Sequence, residues 1–264
     1  MEIPEGAFDA RSIQPKWMLL SYRKDVTASS SEEGHEPGLA VDEDVRSCWC
    51  ARGSRGEWLR LDLGQAYRVR SVQVNLADVD VPVKRVAKEL RSDATTGSRW
   101  IDLDETRRTR WLLECSRDGE NWEILVDKRR ADTDLPNDYV ELPEGVQTRY
   151  LRLTAEELPY GAKFAVSGLR VFGEGNAPAP AAATEVRGQR TDAMTAKISW
   201  QKIPGAMGCN VRFGIAPDKL YLSHMVYGKQ EVLLTGLNAG QRYWIRVDSF
   251  GEGGITEGST IVLE

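Results

Sequence analysis

Hydrophobic residues recur at every second position in segment after segment of this chain, and seldom at helical spacing. In EWLRLDLG (57–64), Leu59, Leu61 and Leu63 fall on one face of an extended strand, with Trp58, Arg60 and Asp62 on the other. VRSVQVNLA (69–77) repeats the pattern with Val72, Val74 and Leu76, and WLLECS (111–116), YVELP (139–143), RYLRLTA (149–155) and LRVFG (169–173) continue it. Asp118-Gly119, between WLLECSR and ENWEIL, predicts a tight hairpin, because glycine takes a positive φ at little cost. A second series, AKISW (196–200), CNVRFG (209–214), EVLLTGL (231–237), YWIRVDSF (243–250) and a closing TIVL, has the spacing of a seven-strand sandwich. One stretch departs from the pattern. VKRVAKEL (83–90) puts Val83, Val86 and Leu90 on one side of a short helix, inside a long segment (77–110) of the kind that is usually functional or disordered. That segment is expected to shape a binding face or to dock on another domain.

Between the two series, GEGNAPAPAAATE (173–185) offers no large apolar residue, and Pro178 and Pro180 favour extended backbone, which suits a short, stiff spacer. A length of 264 residues agrees with two domains, and 41% hydrophobic content is enough for two cores. A net charge of -5 supplies no basic field for nucleic acid or anionic lipid. The run ETRRTR (105–110) is basic, but the mixed and acidic ELRSDATTGSRWIDLD before it makes a solvated loop the better reading. No apolar run approaches the ~18 residues of a membrane span, so membrane insertion is not expected. The start, MEIPEGAFDARSIQPKW, lacks the basic and apolar regions of a signal peptide. Either the protein is cytoplasmic or this start was cut from a longer parent; the connector-like residues after Met1 favour the second. Cys48, Cys50, Cys115 and Cys209 have no CxxC spacing and only two histidines for company, so they read as buried free thiols.

The chain carries no HExxH, no GxSxG and no GxxxxGK[ST], and GEGG (251–254) lacks the lysine of a phosphate loop. Carboxylates are abundant, yet no pair stands out as the acid and base of glycoside hydrolysis. The chain therefore reads as non-catalytic.

Six phrases carry a resemblance over 24–173: VTASSS (26–31), LAVDEDVRSCW (39–49), GEWLRLDLG (56–64), LECSRDGENWEIL (113–125), TRYLRLTA (148–155) and FAVSGLRVFG (164–173). In this order they resemble the discoidin, or coagulation factor V/VIII C-terminal type, family, which includes family 32 carbohydrate-binding modules. Residues 184–264 resemble fibronectin type III, with Trp200 as the second-strand core tryptophan and Tyr243 as the tyrosine whose hydroxyl ties down the preceding turn. PKWMLLSYRK, GEWLRLDLG and SGLRVFG together resemble the C-terminal accessory region of bacterial family 43 glycoside hydrolases. The resemblance implies an all-β chain: a connector (1–23), a discoidin-type jelly-roll β-sandwich (24–173), a Pro/Ala linker (174–183) and an immunoglobulin-like sandwich (184–264). It also implies a bacterial protein, periplasmic, cell-surface or secreted, whose partners are a glycan or polysaccharide and the catalytic domain of a parent enzyme. The alternative is a structural spacer that positions that domain without binding sugar. An animal-type adhesion role fits less well, because no cysteine lies near 25 or 172 and SSSEEGHEPG is polar.

A sugar site needs an aromatic face for the C–H surface of the ring and polar groups for its hydroxyls. The loop residues that answer this are His35, Arg52, Trp100 and Tyr160. Each has a plainer reading: His35 as a partner for loop backbone, and Trp100 and Tyr160 as packing residues. Trp49, Trp58, Trp111 and Trp122 are expected to pack. The resemblance further implies a structural calcium ion held by the Leu39 carbonyl, Asp42, Asp44 and Ser47. Two departures stand against it: Glu43 replaces the usual glycine, and Gly168 stands where a glutamate often completes the shell. A solvated acidic turn is the other reading.

Overall fold

The computed structural model describes residues 17–81, 87–92, 95–97, 99–103 and 107–264, without the side chains of 87–92 and 99–103. The fold is all-β; among the described residues the helical turns are two short 3-10 turns, Pro37–Val41 and Pro159–Gly161. The chain divides into two compact units, 21–171 and a second that takes 172–264 with 17–20. The strands begin with β1 (Met18–Leu19), β2 (Asp25–Ala28), β3 (Trp49–Cys50), β4 (Trp58–Leu76), β5 (Ala87–Ser92) and β6 (Arg99–Leu103). They continue with β7 (Arg110–Ser116), β8 (Glu123–Asp127), β9 (Asn137–Glu157) and β10 (Ala165–Glu174). The hydrogen-bonded order is β10-β4-β9-β7-β8, with β2 on β4 and β3 on β10.

The two segments 57–64 and 69–77 form one long strand. Trp58–Asp62 pair with Thr154–Tyr150 and Ser71–Asn75 with Glu141–Asn137, with irregular register at Asp62–Tyr67 and at Val69–Ser71. At the first irregularity Gly64 adopts φ +85°, and its N–H donates to the Asp62 carboxylate at 2.7 Å. The second switches the face: Leu59, Leu61, Leu63, Tyr67 and Val69 are buried at odd positions, Val72 and Val74 at even ones. Both alternations thus face the same core. Leu151, Leu153 and Ala155 of β9 and Trp111, Leu113 and Cys115 of β7 fill it from neighbouring strands, and Trp49 meets Phe164 edge-on at 5.2 Å. Each buried leucine contributes about 1.5–3 kcal/mol relative to exposure.

The helix expected over 83–90 does not form where it can be seen. Residues 87–90 lie in β5, paired antiparallel with β6 (Leu90 opposite Ile101, Arg91 opposite Trp100); Val83 and Val86 lie outside the described residues. A helix of two turns is below the length that sustains itself, and β6 supplies a full ladder of backbone partners instead.

The second unit carries β11 (Arg187–Arg190), β12 (Ala196–Ser199), β13 (Gly208–Gly214), β14 (Leu222–Tyr227), β15 (Glu231–Leu234), β16 (Tyr243–Gly251), β17 (Gly254–Thr256) and β18 (Thr260–Leu263). Sheets β11-β12-β15 and β14-β13-β16-β17, with β18 also on β16, share a core that includes Ile198, Trp200, Val211, Ile245 and Val247. The Asn238 N–H donates to the Tyr243 hydroxyl at 3.1 Å and so ties the turn to the strand. The connecting residues are not a free spacer. Pro180 and Ala183 are buried, Thr256 Oγ1 donates to the Pro180 carbonyl at 2.5 Å, and Ser249 Oγ donates to the Ala181 carbonyl at 2.7 Å. A β-carbon at Gly253 would stand 1.9 Å from the Ala177 carbonyl oxygen, so the segment lies directly on the β16–β17 turn. Small side chains were what this close approach required.

Candidate functional site

The 21–171 unit has a cleft of about 510 Å³, within the span of small-ligand sites (roughly 300–1,000 Å³). Four segments build it: Ser54–Arg55 between β3 and β4, Arg107–Arg110 entering β7, Arg129 after β8, and Glu156–Gly161 leaving β9. Backbone pairing sets them side by side. Arg110 lies opposite Glu157 in the ladder, and the Gly56 N–H donates to the Ala155 carbonyl at 2.8 Å. Thr109, buried, is pinned from behind: its N–H donates to the Thr133 carbonyl at 3.1 Å and its hydroxyl to Asp134 at 2.6 Å. With Thr109 held inward, Arg108 and Arg110 project to the cleft on the opposite face.

The wall opposite is a 3-10 turn with unusual backbone. Tyr160 has φ 59° and ψ 14°, and Gly161 follows with φ +64°. The left-handed region is natural for glycine but costs a tyrosine about 1–2 kcal/mol. The Tyr160 ring, half-buried, lies beneath the Arg107 guanidinium at 4.8 Å from its centroid.

The lining holds five arginines and two glutamates, an excess of three positive charges. Most of that charge is matched. Arg55 meets Glu156 at 2.5 Å, Arg110 meets Glu157 at 2.7 Å, and Arg129 grips Asp127 with two donors at 2.9 and 2.7 Å. The Arg129 hydrogen bonds hold the Asp127 carboxyl down at about 2. Two arginines are left over. Arg107 has no carboxylate partner among the described residues; Asp104 and Glu105 lie outside them. Arg108 comes no nearer than 3.7 Å to Asp132, and its Nε is buried without a hydrogen-bond acceptor among the described residues. A buried N–H of this kind usually has a partner, so its lack needs an explanation.

Of the four residues singled out for sugar binding, Tyr160 lines this cleft. Arg52 does not: it is exposed and its Nε donates to the Ser31 carbonyl at 3.0 Å. His35 lies elsewhere too, with Nδ1 at 2.9 Å from the Cys48 carbonyl and its own carbonyl accepting from the Cys50 N–H at 3.3 Å, so it fastens the loop to β3. Trp100 stands in β6, and its side chain is outside the described residues. The run ETRRTR, read as a solvated loop, instead supplies Arg107, Arg108 and Arg110 to the cleft. The correction has a clear cause: the wall they face comes from 156–161, far along the sequence.

The acidic turn after Pro37–Val41 is closed on itself. Asp42 accepts from the Asp44 N–H (2.9 Å) and the Ser47 hydroxyl (2.7 Å), and Ser47 Oγ also lies 2.9 Å from the Asp44 carbonyl. Arg46 takes both oxygens of the Asp44 carboxylate at 2.9 and 2.7 Å. Glu43, at φ +62°, turns away onto Arg170 at 2.9 and 3.0 Å. Among the described residues no three His, Cys, Asp or Glu side chains gather to hold a metal. Leu39, Asp42, Asp44 and Ser47 as arranged do not fit a calcium shell, because Arg46 occupies the carboxylate that the ion would need. The four cysteines are free and buried; burial pushes each thiol up, Cys209 to about 11, away from reactivity.

Similarity to known proteins bears on the same region. The F5/F8 type C family model described as a NedA-like, galactose-binding domain matches residues 39–153. Among solved structures, chitosan-binding module 1 of a chitosanase/glucanase from Paenibacillus sp. IK-5 is 18% identical, with 59% of this chain and 99% of that one covered and a TM-score of 0.42. Module 2 of the same enzyme, in complex with chitotriose, is 18% identical over 58% and 99%, with a TM-score of 0.42. CpGH89CBM32-4 from Clostridium perfringens, in complex with GlcNAc-α-1,4-galactose, is 13% identical over 62% and 99%, with a TM-score of 0.43. No curated protein matches the chain. Residues 39–153 of this chain are similar to the F5/F8 type C, galactose-binding-like domain, a segment that contains the cleft's Arg55, Arg107, Arg108, Arg110 and Arg129.

Proposed function

We propose that the 21–171 unit is a non-catalytic carbohydrate-binding module and that it takes its ligand in the cleft beside Tyr160. The observation that carries this reading is the juxtaposition of the galactose-binding-like segment 39–153 with a cleft that pairs an aromatic ring and a stacked guanidinium. A sugar presents C–H faces to rings and hydroxyls to charged groups, and Tyr160 with Arg107 and Glu156 offers both. On this reading the chain is an accessory region of an exported bacterial polysaccharide-degrading enzyme, with a fibronectin type III-like second unit.

The test is calorimetric titration of the intact protein with a panel of galactose-based, chitin-derived and plant-wall oligosaccharides. A saturable hit that disappears in Tyr160→Gly is expected. Silence across the panel from a folded protein would leave only the positioning role.

A further inference from the structure

We infer that the saccharide taken by this cleft is acidic and carries a carboxylate that Arg107 and Arg108 receive; this rests on the sugar-binding reading above. A neutral sugar asks for donors and acceptors in balance, whereas this lining is biased towards cations. Arg55, Arg110 and Arg129 are already closed by Glu156, Glu157 and Asp127. Arg107 and Arg108 stand adjacent in sequence on the same cleft; among the described residues Arg107 has no carboxylate partner and Arg108 reaches only Asp132, at 3.7 Å. The Arg108 Nε is buried without a hydrogen-bond acceptor among the described residues, the Asp132 carboxylate standing 3.7 Å away, so its guanidinium has donor capacity that the described fold leaves unused.

A carboxylate suits the geometry better than a hydroxyl. Guanidinium is a planar fork that matches two carboxylate oxygens, and with Arg107 over the Tyr160 ring no acceptor among the described residues takes its donors. Arg129 on Asp127 displays that bidentate grip within the same cleft. The two glutamates would repel an anion if bare, but both are neutralised by their own arginines, so the repulsion falls away from Arg107. Tyr160 then supplies the ring face for the sugar body, and its left-handed backbone is retained because that posture puts the ring under Arg107. A galacturonate unit, galactose with its C6 oxidised to a carboxylate, has this pairing of ring face and anion.

The experiment titrates the full chain with trigalacturonate, its methyl ester, neutral galactotriose and a sulfated galacto-oligosaccharide. Arg107→Gln, Arg108→Gln and Tyr160→Gly are run alongside, with circular dichroism to establish folding. Glycine at 160 removes the ring while accepting the backbone geometry, so it tests binding without strain. Binding of the acid at least about tenfold tighter than the ester or the neutral trisaccharide is expected, weakening with added salt, with each arginine variant losing about tenfold. Equal affinity for acid, ester and neutral sugar would overturn the acidic-ligand inference and leave the carbohydrate reading standing. Preference for the sulfated ligand over galacturonate would overturn the choice of carboxylate. No binding of any saccharide by folded protein would overturn both readings together.

Discussion

Two charged turns of the 21–171 unit are built on the same device and end in opposite states. At 42–47 a left-handed glutamate, Glu43, turns its carboxylate onto Arg170, and Arg46 closes Asp44, so each acid that is drawn in has its cation. At the cleft a left-handed tyrosine, Tyr160, turns its ring under Arg107; Arg107 has no carboxylate partner among the described residues, and Arg108 has only Asp132, at 3.7 Å. Both turns hold a non-glycine residue in a costly conformation, at about 1–2 kcal/mol each. The first recovers the cost inside the fold, through an ion pair whose side chains are only 19% and 10% exposed. The second recovers part of it through the Arg107–Tyr160 contact but closes no ion pair on Arg107 among the described residues, and on the proposed reading that cation is kept for a ligand.

The comparison can be broken by mutation. Glu43→Gln should cost about 2 kcal/mol in chemical denaturation, because it leaves the Arg170 guanidinium largely buried beside a neutral amide. Arg107→Gln should cost under about 0.5 kcal/mol in the same assay, since it breaks no ion pair among the described residues. A reversal of that order would mean that the cleft arginines, and not the acidic turn, hold the unit together. Calcium should have the smallest effect of all: millimolar ion or EDTA should move the melting temperature by less than about 1 °C. A rise of several degrees specific to calcium would show that Arg46 yields Asp44 to the ion and that the turn is not closed.

The strands were legible because period-2 alternation is a local signal, and even the change of parity between Leu63 and Val72 can be read from the residues. The Tyr243 tether was legible too, through its place in LNAGQRYWIRV. What escaped were features that depend on distant pairing. Nothing local in ETRRTR reveals that Arg110 will lie opposite Glu157, nor that LPYG will fold into a turn with two left-handed residues. The one-sided spacing of Val83, Val86 and Leu90 suggested a helix at VKRVAKEL, while the partner strand 99–103 pairs 87–92 as a strand instead. For His35 the residues allowed either a sugar contact or a partner for loop backbone, and the structure shows its Nδ1 on the Cys48 carbonyl. The linker read as a short, stiff spacer, and its packing on the second unit escaped because it is made by backbone carbonyls and small side chains, which leave no hydrophobic mark.

The most direct measurement is an NMR titration of the intact chain with trigalacturonate, following arginine Nε–H and backbone amide signals. The account predicts that Arg107, Arg108 and Gly161 shift together and saturably, while Arg46, Asp44 and the amides of 31–35 stay in place. Shifts confined to the acidic turn or to the His35 loop would contradict it.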